Sequence, residues 1–174
     1  MPRPKEPSLT GPTHQPGPQP IPQPVPKQPH HPPTRLAVLI SGGGRTLLNL
    51  QDHIDAGTLP ARIELVIASR DCPGVARALD RGLDAFVIPG EIPAPQLAQI
   101  LTARSIDLVV LAGYLRRVAI PPGFEGRIIN IHPALLPDFG GPGMHGDRVH
   151  QAVLDARRTE TGCTVHVCTE EYDR

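Results

Sequence analysis

Short apolar runs that alternate with stretches of helical spacing constrain the fold of this chain more than any other feature. Leu36–Ile40 is a continuous apolar run, as in strands that are buried on both faces of a sheet. Leu47, Leu50 and Ile54 follow it at the spacing of one helix face. Further strands are predicted at Ile63–Ala68, Ala85–Ile88, Ile106–Leu111, Asn130–His132 and Thr164–Val167, and further helices around Val75–Leu79, around Leu97–Leu101 and from Asp147 as N-cap.

This alternation predicts an α/β domain in which helices cover both faces of a mostly parallel sheet. In such sheets, ligands bind beyond the carboxyl ends of the strands. Three polar segments fall at those ends, namely Ser41–Thr46, Tyr114–Arg117 and Asn130–His132. We therefore expect one ligand site that these three segments share.

Proline divides the chain into two parts, because residues 1–34 hold 13 of the 23 prolines and few apolar residues. We expect residues 1–34 to be a disordered, Pro-rich extension and residues 35–174 to form one domain. The extension lacks the apolar segment of a secretory signal. It could be a ligand for a partner, an unselected tail or the product of a mis-assigned start codon.

Charge and cysteine content limit the kinds of partner that this chain is expected to bind. The 17 basic and 17 acidic residues cancel, so no basic excess indicates nucleic acid. No apolar run approaches the ~20 residues of a membrane span. The three cysteines form no Cys-x-x-Cys pair, which indicates free thiols in a reducing cytoplasm. No His, Cys and carboxylate cluster has metal-site spacing, so we expect small-molecule ligands and no metal.

Asn130 and His132 stand two residues apart at the end of a predicted strand, and Pro133 stops further pairing. Side chains two apart on a strand project to the same face. A neutral amide donor beside a titratable ring suits a reaction that develops charge on a carbonyl oxygen and moves a proton. A single structural histidine near a strand end is the alternative.

The glycine-rich turn Ser41–Thr46 joins the first strand to the first helix and favours a phosphate ligand. A dinucleotide fingerprint would need glycine where the chain has Leu47, although Ser69-Arg70 could meet a 2′-phosphate. The Walker pattern lacks its Gly-Lys-Ser/Thr. A tight turn without a ligand is the remaining interpretation.

Two further segments carry weaker indications. Leu115 and Val118 could line a slot for a flat ring, with an Arg meeting a carboxylate, or the segment could be an exposed connection. Asp173 could orient His132 and raise its pKa by stabilising the protonated ring, or could be a solvated acid. We interpret His166 as structural or as a support for the site. His145 and His150 have no partner that the sequence reveals.

Three motifs together carry a family resemblance: Ser41-Gly-Gly-Gly, Val109-Val-Leu-Ala-Gly-Tyr-Leu-Arg and Asn130-Ile-His-Pro-Ala-Leu-Leu-Pro. In this order and spacing, over residues 35–174, they resemble the phosphoribosylglycinamide formyltransferase family. The resemblance implies a doubly wound, Rossmann-like formyltransferase fold. It also implies a formyl transfer from 10-formyltetrahydrofolate, as co-substrate, to the amine of 5′-phosphoribosylglycinamide in purine biosynthesis, with no metal.

The resemblance implies roles for individual residues. Asn130, His132 and Asp173 match the catalytic residues; Asn130 and protonated His132 would stabilise the oxyanion, and Asp173 would hold His132. Gly44, Arg45 and Thr46 would take the substrate phosphate. The remaining matches, bordering the folate, are Leu115, Arg116, Arg117, Val118 and Asn130.

This chain departs from the family pattern in three places. Arg45-Thr46 replaces the more usual Ser-Asn, and the segment from Gly90 to Gln99 lacks an Arg that many relatives place near the substrate. The sequence stops at Arg174, where the family continues through a further strand and a terminal helix. We therefore expect a C-terminally truncated domain.

Several alternatives stay open. The chain could be another folate-dependent formyl transferase or a deformylase, a non-catalytic nucleotide-binding remnant, or a dinucleotide oxidoreductase. Activity with water alone, or binding of NADPH, would distinguish the enzyme classes.

Overall fold

The structure, a computed structural model, describes residues 32–141 and 143–169. Strands and helices alternate along most of this range. In chain order they are β1 (Thr34–Ile40), α1 (Arg45–Asp55), β2 (Ala61–Ala68), α2 (Pro73–Asp80), β3 (Ala85–Val87), α3 (Ala94–Ala103), β4 (Leu108–Leu111), β5 (Ile128–His132), α4 (Asp147–Asp155) and β6 (Thr164–Val167).

The strands form a sheet in the order β3-β2-β1-β4-β5-β6. All neighbours pair in parallel except β5 and β6, which are antiparallel. The order reverses direction between β1 and β4, so the chain winds outward from the centre of the sheet in both directions. This confirms the predicted doubly wound, Rossmann-like α/β fold.

Helices cover both faces of the sheet. Leu97 and Leu101 of α3 pack on one face with Leu39, Leu65 and Val109. On the other face, Leu47 of α1 and Ala78 of α2 pack against strand residues of opposite parity, such as Val38 and Val66. Because β1 and β2 are covered on both sides, their sequences are continuously apolar rather than alternating.

The elements lie where the sequence predicts them, but several ends differ. Strand β2 begins at Ala61 rather than Ile63, and β4 begins at Leu108 rather than Ile106. Strand β1 begins at Thr34, whose N–H donates to the Pro60 carbonyl (3.1 Å), so pairing starts earlier than predicted. The prediction of Asp147 as N-cap of α4 is wrong, because Gly146 holds that position and Asp147 is the first helical residue. The Asp147 carboxylate still lies in the first turn, where a negative charge interacts favourably with the helix dipole.

Two expectations concern parts of the chain outside the described residues. These are the Pro-rich extension, except for its last residues from Pro32, and the position of Asp173. In the described part, the longest helix is α1 with 11 residues. That length is well short of the ~20 residues that cross a bilayer.

Candidate active site

A cavity of about 350 Å³ lies at the carboxyl edge of the sheet. Its wall is formed by residues of the segments that follow β1 and β4, by the end of β5, and by residues around α4 and β6. Parallel strands bring these segments together because their carboxyl ends meet at one edge. The three polar segments singled out in the sequence therefore converge on one volume.

Most of the predicted site residues line this cavity: Arg45, Thr46, Leu115, Arg116, Arg117, Val118, Asn130 and His132. Gly44 is a buried residue of the glycine turn and does not line the cavity. Asp173 lies outside the described residues.

The glycine turn packs directly against the start of α2. Gly44 has a φ of 70°, and a Cβ built on it would stand 3.1 Å from the Gly74 Cα. The Gly74 N–H donates to the Gly42 carbonyl (3.0 Å). At Gly44 and Gly74, glycine is thus required by close backbone contact, whether or not a ligand binds.

The same turn leaves a helix start suited to an anion. No side chain caps α1, and its first turn has no acidic residue. The nearby carbonyls of the turn accept hydrogen bonds from arginine side chains: Arg77 donates to the Gly43 carbonyl (2.5 Å), and Arg70 donates to the Ser41 carbonyl (2.8 Å). Uncapped N–H groups and the positive end of a helix dipole favour a phosphate at this point.

Asn130 is held by the neighbouring edge strand. β5 and β6 pair Asn130 with His166, and the Asn130 Nδ2 lies 3.2 Å from the His166 Nε2. The His166 Nδ1 lies 3.3 Å from the Val167 carbonyl oxygen, which can only accept. The Asn130 Nδ2 can only donate, so the His166 Nε2 is the acceptor of this bond, which holds the amide against β6.

His132 is buried, with 2 % of its surface exposed. Its Nε2 lies 2.7 Å from the Phe139 carbonyl oxygen. A carbonyl only accepts, so the His132 Nε2–H donates this hydrogen bond, which fixes the orientation of the ring.

The segment after β4 presents mixed surfaces to the cavity. Leu115, Arg116 and Arg117 are exposed, whereas Val118 is half-buried against the core. Tyr114 turns inward, and its hydroxyl has no hydrogen-bond partner within the described ranges. Burial raises the pKa of that hydroxyl.

Sequence reasoning missed part of the cavity wall. His145, His150, Cys163 and Cys168 line it, as does His166, which the sequence indicated only as structural or as a support for the site. The pairing of β6 with β5 is what places His166 across from Asn130. The positions of His145 and His150 depend on the path of the glycine-rich loop, which periodicity does not predict. The three cysteines are free, as predicted. Within the described ranges, no group of three or more His, Cys, Asp or Glu side chains could hold a metal ion.

Comparison with known proteins indicates the same family that the sequence motifs resemble. Residues 34–174 match the family described as Formyl transferase. The chloroplastic phosphoribosylglycinamide formyltransferase of Arabidopsis thaliana is 37% identical over 155 residues, which cover 82% of this chain and 53% of the relative. The phosphoribosylglycinamide formyltransferase of Haemophilus influenzae is 34% identical, over 80% of this chain and 68% of the relative.

Solved structures agree. Glycinamide ribonucleotide transformylase 1 from Symbiobacterium toebii superimposes with a TM-score of 0.72 at 37% identity, over 81% of this chain and 68% of that chain. This chain spans about half the length of the two plant relatives that it matches. The matched range, the fold and the position of the cavity together show that the chain belongs to the formyl transferase family.

Proposed function

We propose that this protein transfers the formyl group of 10-formyltetrahydrofolate to the amine of 5′-phosphoribosylglycinamide, a step of purine biosynthesis. One observation carries the proposal. A single cavity is lined by the end of the glycine turn, by the Leu115–Val118 segment, and by Asn130 with His132. The names of the relatives supply the acceptor substrate, and the family resemblance supplies the folate donor.

The phosphate of the acceptor substrate would bind at Gly44–Thr46. The start of α1 supplies backbone N–H groups there, and the Arg45 side chain is exposed on the cavity wall. An arginine can hold phosphate through two parallel hydrogen bonds, so the Arg45-Thr46 pair suits this role. Gly44 would contribute through the backbone geometry of the turn.

The folate would lie along Leu115–Val118 and Asn130. The cavity volume of about 350 Å³ falls in the range of small-molecule sites. Leu115 and Val118 give apolar surface for a flat ring, and Arg116 and Arg117 give charge for carboxylates. Bound there, the folate would supply the formyl group and accept a proton at the nitrogen that loses it.

The protein side chains would act on charge and protons. As the amine nitrogen bonds to the formyl carbon, negative charge develops on the formyl oxygen, and an Asn130 N–H and protonated His132 would stabilise it. As the bond from that carbon to the folate nitrogen breaks, His132 would deliver a proton to that nitrogen, and the proton that the attacking amine loses would restore the one that His132 gave up. The Phe139 carbonyl fixes the Nε2 edge of the ring. Asp173 would complete this orientation.

The direct test is a product assay on the purified chain. Incubation with both substrates should yield formylated 5′-phosphoribosylglycinamide, measured by mass spectrometry. Omission of the acceptor should abolish loss of the formyl group. Equal loss without acceptor would indicate a deformylase, and no loss with both substrates would reject the proposal.

Removal of either polar side chain at the reacting carbon should lower kcat. We expect Asn130→Ala to lower kcat by ~100- to 1,000-fold, with a comparable loss for His132→Ala. Asn49→Ala and His53→Ala remove the same side chains from the exposed surface of α1 and should leave kcat unchanged. If all four variants gave the wild-type rate, Asn130 and His132 would have no catalytic role.

The compartment and the domain boundaries are also part of this proposal. The free cysteines fit a reducing compartment, for which we propose the cytoplasm, although the two plant relatives are named as chloroplastic. We propose residues 35–174 as the formyltransferase domain, after a Pro-rich extension over 1–34.

A further inference from the structure

We infer that the Ser41 hydroxyl is a positioning group that joins the phosphate turn to the folate segment. The inference rests on the proposed function for the names of the two ligands. For the connection itself, it rests on the hydrogen bonds made by two buried serine hydroxyls. Ser41 is not among the residues that line the cavity, so it would act through Leu115 rather than by touching a ligand.

The connection runs from the end of β1 to the segment after β4. The Leu115 N–H donates to the Ser41 Oγ at 2.8 Å. Just before it, the Ala112 N–H donates to the Leu39 carbonyl, also at 2.8 Å. These two bonds attach the start of the folate segment to the strand that leads into the glycine turn.

Ser41 is itself fixed by the chain that follows β2. Its Oγ lies 2.6 Å from the Ser69 Oγ, and the Ser69 N–H donates to the Ile40 carbonyl (3.1 Å). Ser41 and Ser69 have only 1% and 3% of their surface exposed. Segments after three different strands therefore meet at one buried hydroxyl, and the burial of the two serines strengthens the hydrogen bond between them.

The chemistry of the three groups assigns their roles. A backbone N–H can only donate, so the Ser41 Oγ is the acceptor of the bond from Leu115. This leaves its own proton for Ser69 or a second lone pair to accept from it. Leu115 has no such anchor in its own side chain, which is 41% exposed.

The arrangement has a functional consequence. Gly42–Gly44 follow Ser41 directly. A phosphate bound to this turn therefore also restrains Ser41, the residue that holds Leu115. We expect an occupied phosphate turn to stabilise the Leu115 position, and the folate to bind more tightly as a result. By thermodynamic reciprocity, folate would favour phosphate binding to the same extent.

The test compares two buried serines of the same pair. Ser41→Ala removes the acceptor of the Leu115 N–H and should raise the KM for 10-formyltetrahydrofolate about tenfold, with kcat changed by less than about twofold. Ser69→Ala truncates the partner hydroxyl but leaves the bond to Leu115, so KM should stay within about twofold of wild type. Thermal unfolding of both variants identifies losses that reflect stability alone. Equal KM values for the two folded variants would overturn the inference.

A second measurement needs neither turnover nor a variant. Hydrogen exchange of the Leu115 amide, followed by NMR, should be slow in the wild-type chain and should slow further when 5′-phosphoribosylglycinamide is bound. Fast exchange in the free chain, or exchange that the bound ligand does not change, would overturn the inference even if Ser41→Ala failed to fold. A chain that neither binds this ligand nor transfers formyl would instead reject the proposed function, and slow exchange of Leu115 would still support its anchoring to Ser41.

Discussion

The central strands and the β5–β6 side of the sheet differ in how they are packed. In β1 and β2, Val38, Leu39, Val66 and Ile67 are all fully buried. In β6, exposed and half-buried residues alternate, and Val165 and Val167 are 58% and 47% exposed. Helix α4 packs in a small cluster of its own around Ala134, rather than in either of the two large ones.

The central strands and the β5–β6 side have different roles in the protein. The central strands bury apolar side chains on both faces, which supplies most of the driving force for folding. The β5–β6 side carries polar residues that face a cavity, among them Asn130, His132 and His166. Polar groups placed for ligands cannot also be optimised for burial, so the site lies where the core is thinner.

The sharpest way to break this comparison is to truncate one apolar side chain on each side. Leu65→Ala, in a fully buried position of β2, should lower the free energy of unfolding by about 2–5 kcal/mol through lost burial and a cavity. Val165→Ala, on exposed β6, should change it by less than about 0.5 kcal/mol. Urea unfolding at pH 7 measures both. Similar losses at the two sites would show that the stability is spread evenly.

A medium effect is expected where the central region meets the site. In Gly74→Ala, the new Cβ would stand 2.6 Å from the Gly42 carbonyl oxygen and 2.7 Å from the Ile40 Cδ1. Alanine favours a helix over glycine, but the clash involves backbone and should dominate, with a loss of about 1–3 kcal/mol. At Gly42 a Cβ would have no neighbour within 4 Å. Gly42→Ala is therefore the control for stability, and an equally stable Gly74→Ala would show that α2 and the turn can move apart.

The smallest effect is expected at Tyr114, whose buried hydroxyl has no partner in the described part of the chain. Tyr114→Phe should raise the free energy of unfolding by about 1 kcal/mol at pH 7. Burial raises the Tyr114 pKa, so the unfolded chain loses this proton first. The stability that this proton contributes should therefore be fully present below about pH 10 and be lost as the pH rises above it, so the free energy of unfolding should fall less steeply in Tyr114→Phe. Urea unfolding at pH 7 and at a pH above about 10 measures the fall. An equal fall in the variant and in wild type would contradict this expectation.

Periodicity was sufficient for the fold because local pattern and tertiary environment agree. The continuous apolar run at Leu36–Ile40 requires a strand covered on both faces, and Leu47 with Leu50 requires a helix that covers one of them. The cap of α4 was not predictable, because Asp147 and Gly146 can each occupy an N-cap and the choice depends on the loop before them.

The site was predictable only in part. Asn130 and His132 could be placed together because strand geometry fixes the relation of residues two apart. The hydrogen bond from the Leu115 N–H to Ser41 could not, because it joins residues 74 positions apart through a backbone group. Sequence patterns describe side chains, and half of this contact is not a side chain.

The bond between Asn130 and His166 makes the polar wall of the cavity depend on the alignment of two strands. A slip of β6 by one residue along β5 would turn His166 to the other face of the sheet and remove the group that orients the amide. Correct alignment of β6 is therefore a condition for placing the amide, although this strand buries little apolar surface of its own.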